Sequence, residues 1–191
     1  MTPSVLAFLA HLAAAGSDVE PAAYAPGAVP AELRPAVSRA EAAVQSLQKK
    51  LQARLAQSMA AGGPQAAIAV CRDDAPRLAA ETAGETGLRL GRTSDRLRNP
   101  RNAAPPWASP YVQTSAGRAA AGVQPVVVDL GKSVGVLVPI AVGSTCTRCH
   151  GPPDALPPEV RRVLASSYAA DRAVGYREGD HRGYFWAEVA R

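Results

Sequence analysis

An α+β fold, with helices first and an antiparallel sheet behind them, is what this chain predicts. Three observations carry that reading. Apolar residues recur at three- and four-residue steps through the first third. A Val-rich stretch in the last third alternates on both sides of a Gly-Lys-Ser turn, and a second alternating run closes the chain. Between them lies a proline-rich loop that suits neither period.

The elements follow in order. Val5 to Gly16 (VLAFLAHLAAAG) is apolar apart from His11 and is followed by Ser17, Asp18 and Glu20. It reads as the core and cleavage zone of a secretory signal. No positive charge precedes Val5, so residues 1–17 read equally as an amphipathic lead-in helix. Asp18 to Pro30, rich in Ala, Pro and Gly, reads as a linker, and residues 31–191 as the domain.

A long amphipathic helix is expected over Ala31 to Ala61, its stripe made of Val37, Ala40, Val44, Leu47, Leu51, Leu55 and Met59. Gly62-Gly63-Pro64 ends it, and Pro64 suits the first turn of the next helix. In that second helix Ile68, Cys71, Ala75 and Leu78 share a face, which turns Cys71 inward. Leu88 to Thr93 reads as a short strand. Asn99 to Pro110 is a loop with Trp107 as its large apolar anchor, and Tyr111 to Ala121 a short helix. The hairpin VVVDL-GKS-VGVLVPI follows. Leu156 to Ala170 is helical, and Arg182 to Val189 is a strand with Tyr184, Trp186 and Glu188 opposite Phe185, Ala187 and Val189.

Composition narrows the function classes. At 191 residues, with 47% hydrophobic and 19% charged residues, the chain holds one ordinary domain and a short appendage. The net charge of +5 comes mostly from arginines spread along the chain without interleaved aromatics, which argues against a nucleic-acid partner. No run reaches the roughly 18 apolar residues of a membrane span. The best stretch, Val126 to Val142, is interrupted by Asp129, Gly131, Lys132 and Gly135, so stable membrane insertion of the mature chain is not expected. Nor is an enzyme. There is no Ser-His-Asp order and no carboxylate pair, and Gly131-Lys132-Ser133 is not a phosphate-binding loop, because Val126 stands where that motif needs its first glycine.

The chemistry is concentrated in Cys146-Thr147-Arg148-Cys149-His150, a C-x-x-C-H attachment signature of c-type haem. Two thiols at this spacing can add to the two vinyl groups of one porphyrin, and the adjacent His150 is then held beneath the iron as an axial ligand. A zinc site would need four ligands, and no second C-x-x-C or H-x-x-x-H is present. A thioredoxin-type redox pair would open a longer helix, which Gly151-Pro152-Pro153 prevents. One covalent haem c is therefore the expected cofactor, and it implies an exported, periplasmic location.

The second axial ligand is open from the residues alone. Met59 reads as core, and His181, in the polar turn Gly179-Asp180-His181-Arg182, as solvent-exposed. Cys71 is the odd cysteine, equally a small buried hydrophobe or a ligand. A five-coordinate iron open to a gas is a further alternative. Arg92, Arg96 and Arg98 are either partners for the haem propionates or solvated loop residues.

Several ordered blocks carry a resemblance: Ala66 to Pro76 (AAIAVCRDDAP), Gly91 to Asn102 (GRTSDRLRNPRN) with Trp107, the C-x-x-C-H, and Ala170 to Gly183 (ADRAVGYREGDHRG). Together they resemble the single-haem c-type proteins with a PAS-like fold, a family long catalogued as a domain of unknown function. The resemblance implies haem c at Cys146 and Cys149, with His150 on one side of the iron and Cys71 on the other. His181 departs from the pattern, since histidine is not expected there. The family implies redox or gas sensing, or electron transfer.

A thiolate ligand stabilises ferric iron, and on reduction Cys71 would take a proton and leave. The first expectation is accordingly a redox- or gas-responsive haem sensor, binding carbon monoxide or nitric oxide and acting on a redox or signalling partner. The second is a small soluble periplasmic electron-transfer cytochrome.

Overall fold

The Val-rich stretch of the chain folds as the hairpin its alternation predicts. Strands β3 (Val126–Asp129) and β4 (Ser133–Ala141) pair antiparallel, with Val127 opposite Val136. β5 (His181–Ala190) adds to the free edge of β4, and β2 (Arg89–Thr93) adds to β5. A short strand, β1 (Ala22–Tyr24), covers β3 and completes a five-stranded antiparallel sheet in the order β1-β3-β4-β5-β2. The computed structural model describes residues 21–191, so the signal-peptide or lead-in helix reading of residues 1–17 lies outside the described residues. The architecture is α+β and PAS-like.

Part of the expected linker is structured. Ala22–Tyr24 forms β1, and Val29, 5% exposed, joins the core. The unpaired backbone groups of the β3 edge supply the reason: three residues of extended chain satisfy them.

Helix α1 (Arg34–Ala69) lays its stripe on one face of the sheet. Ala40, Val44 and Leu47 are almost completely buried against Val134, Val136, Phe185, Ala187 and Val189. Each large aliphatic side chain buried this way contributes about 1.5–3 kcal/mol. On the opposite face Tyr184, Trp186 and Leu137 pack with Val112 and Trp107. Trp107 lies flat enough on β4 that a Cβ at Gly135 would come within 2.8 Å of its ring. The two sets of β5 side chains thus divide between the faces as their alternation predicts.

The glycine break predicted at the end of the first helix is a break within α1. Gly62 (φ −154°, ψ 18°) and Gly63 (φ 65°, ψ −161°) leave helical geometry, and the helix resumes from Pro64. It then widens into one π-helical turn, Val70–Asp74, before α2 (Ala75–Thr86). Such turns often mark functional positions, and Cys71 sits in this one. The proline-rich loop contains two 3-10 turns, and the short helix after it, α3 (Ser109–Thr114), stops sooner than predicted. The C-x-x-C-H, to which no helix was assigned, forms its own short helix, α4 (Ser144–His150); α5 (Pro158–Ser167) follows. Among the described residues no helix is long and apolar enough to cross a membrane.

Candidate cofactor site

β4 runs into α4 through Val142 and Gly143, and α4 ends where the Gly151 N–H donates to the Thr147 carbonyl at 2.8 Å. Cys146 and Cys149, three apart on this helix, share a face. Both are half-buried free thiols. They line a cavity of about 500 Å³ together with His150, Cys71, Met59, Arg92, Arg98 and Arg182. That volume is in the range of cofactor sites, about 300–1,000 Å³. Its apolar wall comes from Leu51, Leu55, Ile68, Ile140 and Phe185. Among the described residues no three His, Cys, Asp or Glu side chains gather closely enough to hold a bare metal ion. The sulfurs and the imidazole surround a space instead of meeting at a point, which suits a large planar group.

His150 is set for ligation. Its Nδ1 lies 2.7 Å from the Ala173 carbonyl, which can only accept, so Nδ1 carries the proton and Nε2 keeps a lone pair. A backbone carbonyl on the far nitrogen is the usual device for orienting a ligating histidine. Burial, and the nearby charges of Arg98 and Arg182, push protonation of His150 well below the ordinary histidine range, so the ring is neutral. Burial pushes the Cys149 thiol up, and Arg98 offsets part of that rise.

The wall behind His150 is held by Arg98 and Asp171. Their side chains are only 7% and 12% exposed and meet at 2.9 Å. Arg98 Nη2 also donates to the Cys149 carbonyl at 2.6 Å and to the Ala173 carbonyl at 3.1 Å. Asp171 accepts from the Ala173 N–H at 2.8 Å, and two backbone bonds, Tyr176 to His150 and Gly175 to Gly151, tie the Ala173–Tyr176 segment to the end of α4. The alternative that Arg98 is a solvated loop residue is overturned by its burial. Its Nε is committed to Asp171 and its Nη2 to two carbonyls, so it supports the motif from behind, and Nη1 is the donor left toward the cavity it lines. Arg96 is likewise committed, 3.7 Å above the Tyr176 ring with Nη1 donating to the Val174 carbonyl.

Arg92 does reach the cavity, half-buried and with no acidic partner among the described residues. Burial lowers its pKa from the ordinary arginine value. Cys71 and Met59 both line the cavity, so two of the three sequence candidates for the second ligand stand on its wall.

His181 does not, and its predicted exposure is overturned. It is 4% exposed, edge-on to Tyr184 at 4.6 Å, on the face away from α1. The cause is a β-bulge. Ile140 pairs with Gly183 and Ala141 with His181, leaving Arg182 as the extra residue. The bulge reverses the alternation at this end of β5, sending His181 to the Tyr184 side and Arg182 into the cavity. Gly183 makes this feasible: at φ 141° a Cβ there would lie 2.1 Å from the Thr93 carbonyl oxygen. Arg182 and Asp171 are the site residues that residue-by-residue reading missed. Their only signal was membership of the Ala170 to Gly183 block.

Comparison with known proteins bears on the domain as a whole. The chain matches the Tll0287-like family over residues 29–189. The solved structure of the cyanobacterial heme-protein Tll0287 is similar to it with a TM-score of 0.59 at 23% identity, covering 86% of this chain and 98% of that one. That identity supports likeness of fold. No curated protein matches the chain.

Proposed function

The chain belongs to the Tll0287-like family, and from that premise we propose that it is an exported single-haem c-type protein acting as a redox- or gas-responsive sensor. The observation that carries the reading is the cavity itself. It gathers a C-x-x-C-H, a histidine whose Nε2 is free while Nδ1 is anchored, and a third cysteine outside the motif. The solved relative is named as a heme-protein, which agrees with this reading.

Bound haem would supply a one-electron couple and a coordination position for carbon monoxide or nitric oxide. Cys146 and Cys149 would hold it through thioether bonds, and His150 would ligate through Nε2. Cys71 would be the second ligand as a thiolate, favouring the ferric state. Cys71 would be the residue able to take up one proton at Sγ and withdraw, and the π-helical turn that carries it would then be free to repack. The apolar wall would limit access of water. No enzymatic step is proposed.

Met59 supports a second reading. It stands on the same cavity wall, and a Met/His pair raises the potential and suits an electron carrier that keeps its ligands on cycling.

The test is maturation of the full chain in cells with c-type haem assembly, followed by denaturing electrophoresis with haem staining. Wild type should retain haem, and the Cys146→Ser/Cys149→Ser variant should lose it. Reduction followed by carbon monoxide should then give a carbonyl spectrum at once if the sensor reading holds. An unchanged ferrous spectrum under carbon monoxide would favour the carrier.

A further inference from the structure

Three guanidinium groups face the cavity, and they are not equivalent. Arg98 is neutralised by Asp171. Arg92 and Arg182 form no salt bridge with any described acid. Arg182 Nη1 makes only long contacts, 3.3 Å to the Arg96 carbonyl and 3.4 Å to the Tyr176 hydroxyl. Burial lowers the pKa of both, and at Arg182 the charges of Arg98 and Arg92 add to the lowering. Two half-buried positive charges without a salt-bridge partner are costly, because the desolvation of each is at most partly returned, at Arg182 by the more distant Asp95.

Local construction shows that Arg182 is placed, not merely present. Simple alternation would turn it to the opposite face of the sheet. The bulge between β4 and β5 turns it inward, and Gly183 supplies the backbone geometry the bulge needs. Arg92 comes from the neighbouring strand, opposite Phe185, whose ring lies on the same cavity wall. The two arginines therefore converge from adjacent strands on one side of the cavity, while the motif cysteines and His150 occupy α4.

We propose that Arg92 and Arg182 form a carboxylate-binding pair on the cavity wall and that its occupants are the haem propionates. The inference rests on the haem reading above. Planar guanidinium forks match carboxylates in charge and in bidentate geometry, and a haem carries two carboxylates for these two cations.

The experiment uses the matured holoprotein with haem isotopically labelled at the propionate carboxyl carbons. Redox-induced infrared difference spectra are recorded for wild type, Arg92→Gln, Arg182→Gln, the double variant and Arg182→Lys. Haem staining is done first, so that absence of haem in wild type counts against the haem reading and not against this pair. With haem present, the labelled carboxylate bands should shift in each Gln variant and most in the double variant. Arg182→Lys should restore part of the wild-type pattern. Label-sensitive bands identical in wild type and double variant would overturn the proposal. So would the case in which those bands are unmoved while added acetate perturbs the wild-type visible spectrum but not that of the double variant. The pair would then bind a free carboxylate.

Discussion

The two sides of the cavity are built to different standards of rigidity. His150 is fixed by its own bond to Ala173, by the Arg98–Asp171 pair behind it and by two backbone bonds that clip the Ala173–Tyr176 segment to α4. Cys71 sits in a π-helical turn, below a helix break at Gly62 and Gly63, and its sulfur makes no hydrogen bond among the described residues. One potential ligand is anchored by a bond of its own, and the other is placed only through its turn, which Arg54 ties to α1 by an ion pair to Asp74 at 2.6 Å. A site of this kind is suited to keep one ligand and exchange the other, and that asymmetry is what a ligand-switching sensor needs.

The largest effect should come from the rigid side. Arg98→Met leaves Asp171 buried without its partner and removes two carbonyl contacts, so stability should fall by about 3–5 kcal/mol in denaturant unfolding. A loss under about 1 kcal/mol would mean the wall is not the clamp described.

Next, Leu47→Ala should cost about 2–5 kcal/mol, because this side chain is fully buried between α1 and the sheet. Unlike Arg98→Met, it should leave the visible spectrum of the holoprotein unchanged. If the spectrum moved as well, the site and the α1 core would not be separable.

On the Cys71 side the stability cost is smaller. Gly63→Ala forces a side chain into left-handed backbone and should cost about 1–2 kcal/mol. Its informative readout is the rate of carbon monoxide binding to the reduced protein, which should change if the break lets the Cys71 segment move.

The smallest effect concerns His181, which belongs to neither side. Burial lowers its pKa from the ordinary value of 6.5. The unfolded chain therefore binds a proton that the folded one refuses, and stability should decline as pH falls below about 6.5 and through the depressed folded value. His181→Phe, which keeps the contact with Tyr184, should flatten that limb of the stability–pH curve while leaving the Soret band in place.

What could be read from the sequence, and what could not, follows the range of the interactions involved. The α1 stripe, the glycine break, the Val-rich hairpin and the two faces of β5 are periodic or local signals, and each appears in the fold. The C-x-x-C-H is a contiguous motif, and it lines the cavity. The failures share a cause. Local polarity places His181 in an exposed turn and gives Arg182 no role, and one inserted residue in the β4–β5 pairing decides both. The role of Arg98 stays open in the sequence, between propionate partner and solvated loop residue, because its partner Asp171 lies 73 positions away. The edge strand at Ala22–Tyr24 has no β-branched signal and forms because β3 offers unpaired backbone.

The measurement that bears most directly on an exchangeable Cys71 is low-temperature EPR of the matured ferric protein, beside Cys71→Ser and Met59→Leu. A low-spin thiolate signature in wild type and in Met59→Leu, lost in Cys71→Ser, with a carbonyl optical spectrum when the wild type is reduced under carbon monoxide, is the predicted result. A signature unaltered by Cys71→Ser and abolished by Met59→Leu would contradict it and assign the cavity to a Met/His electron carrier.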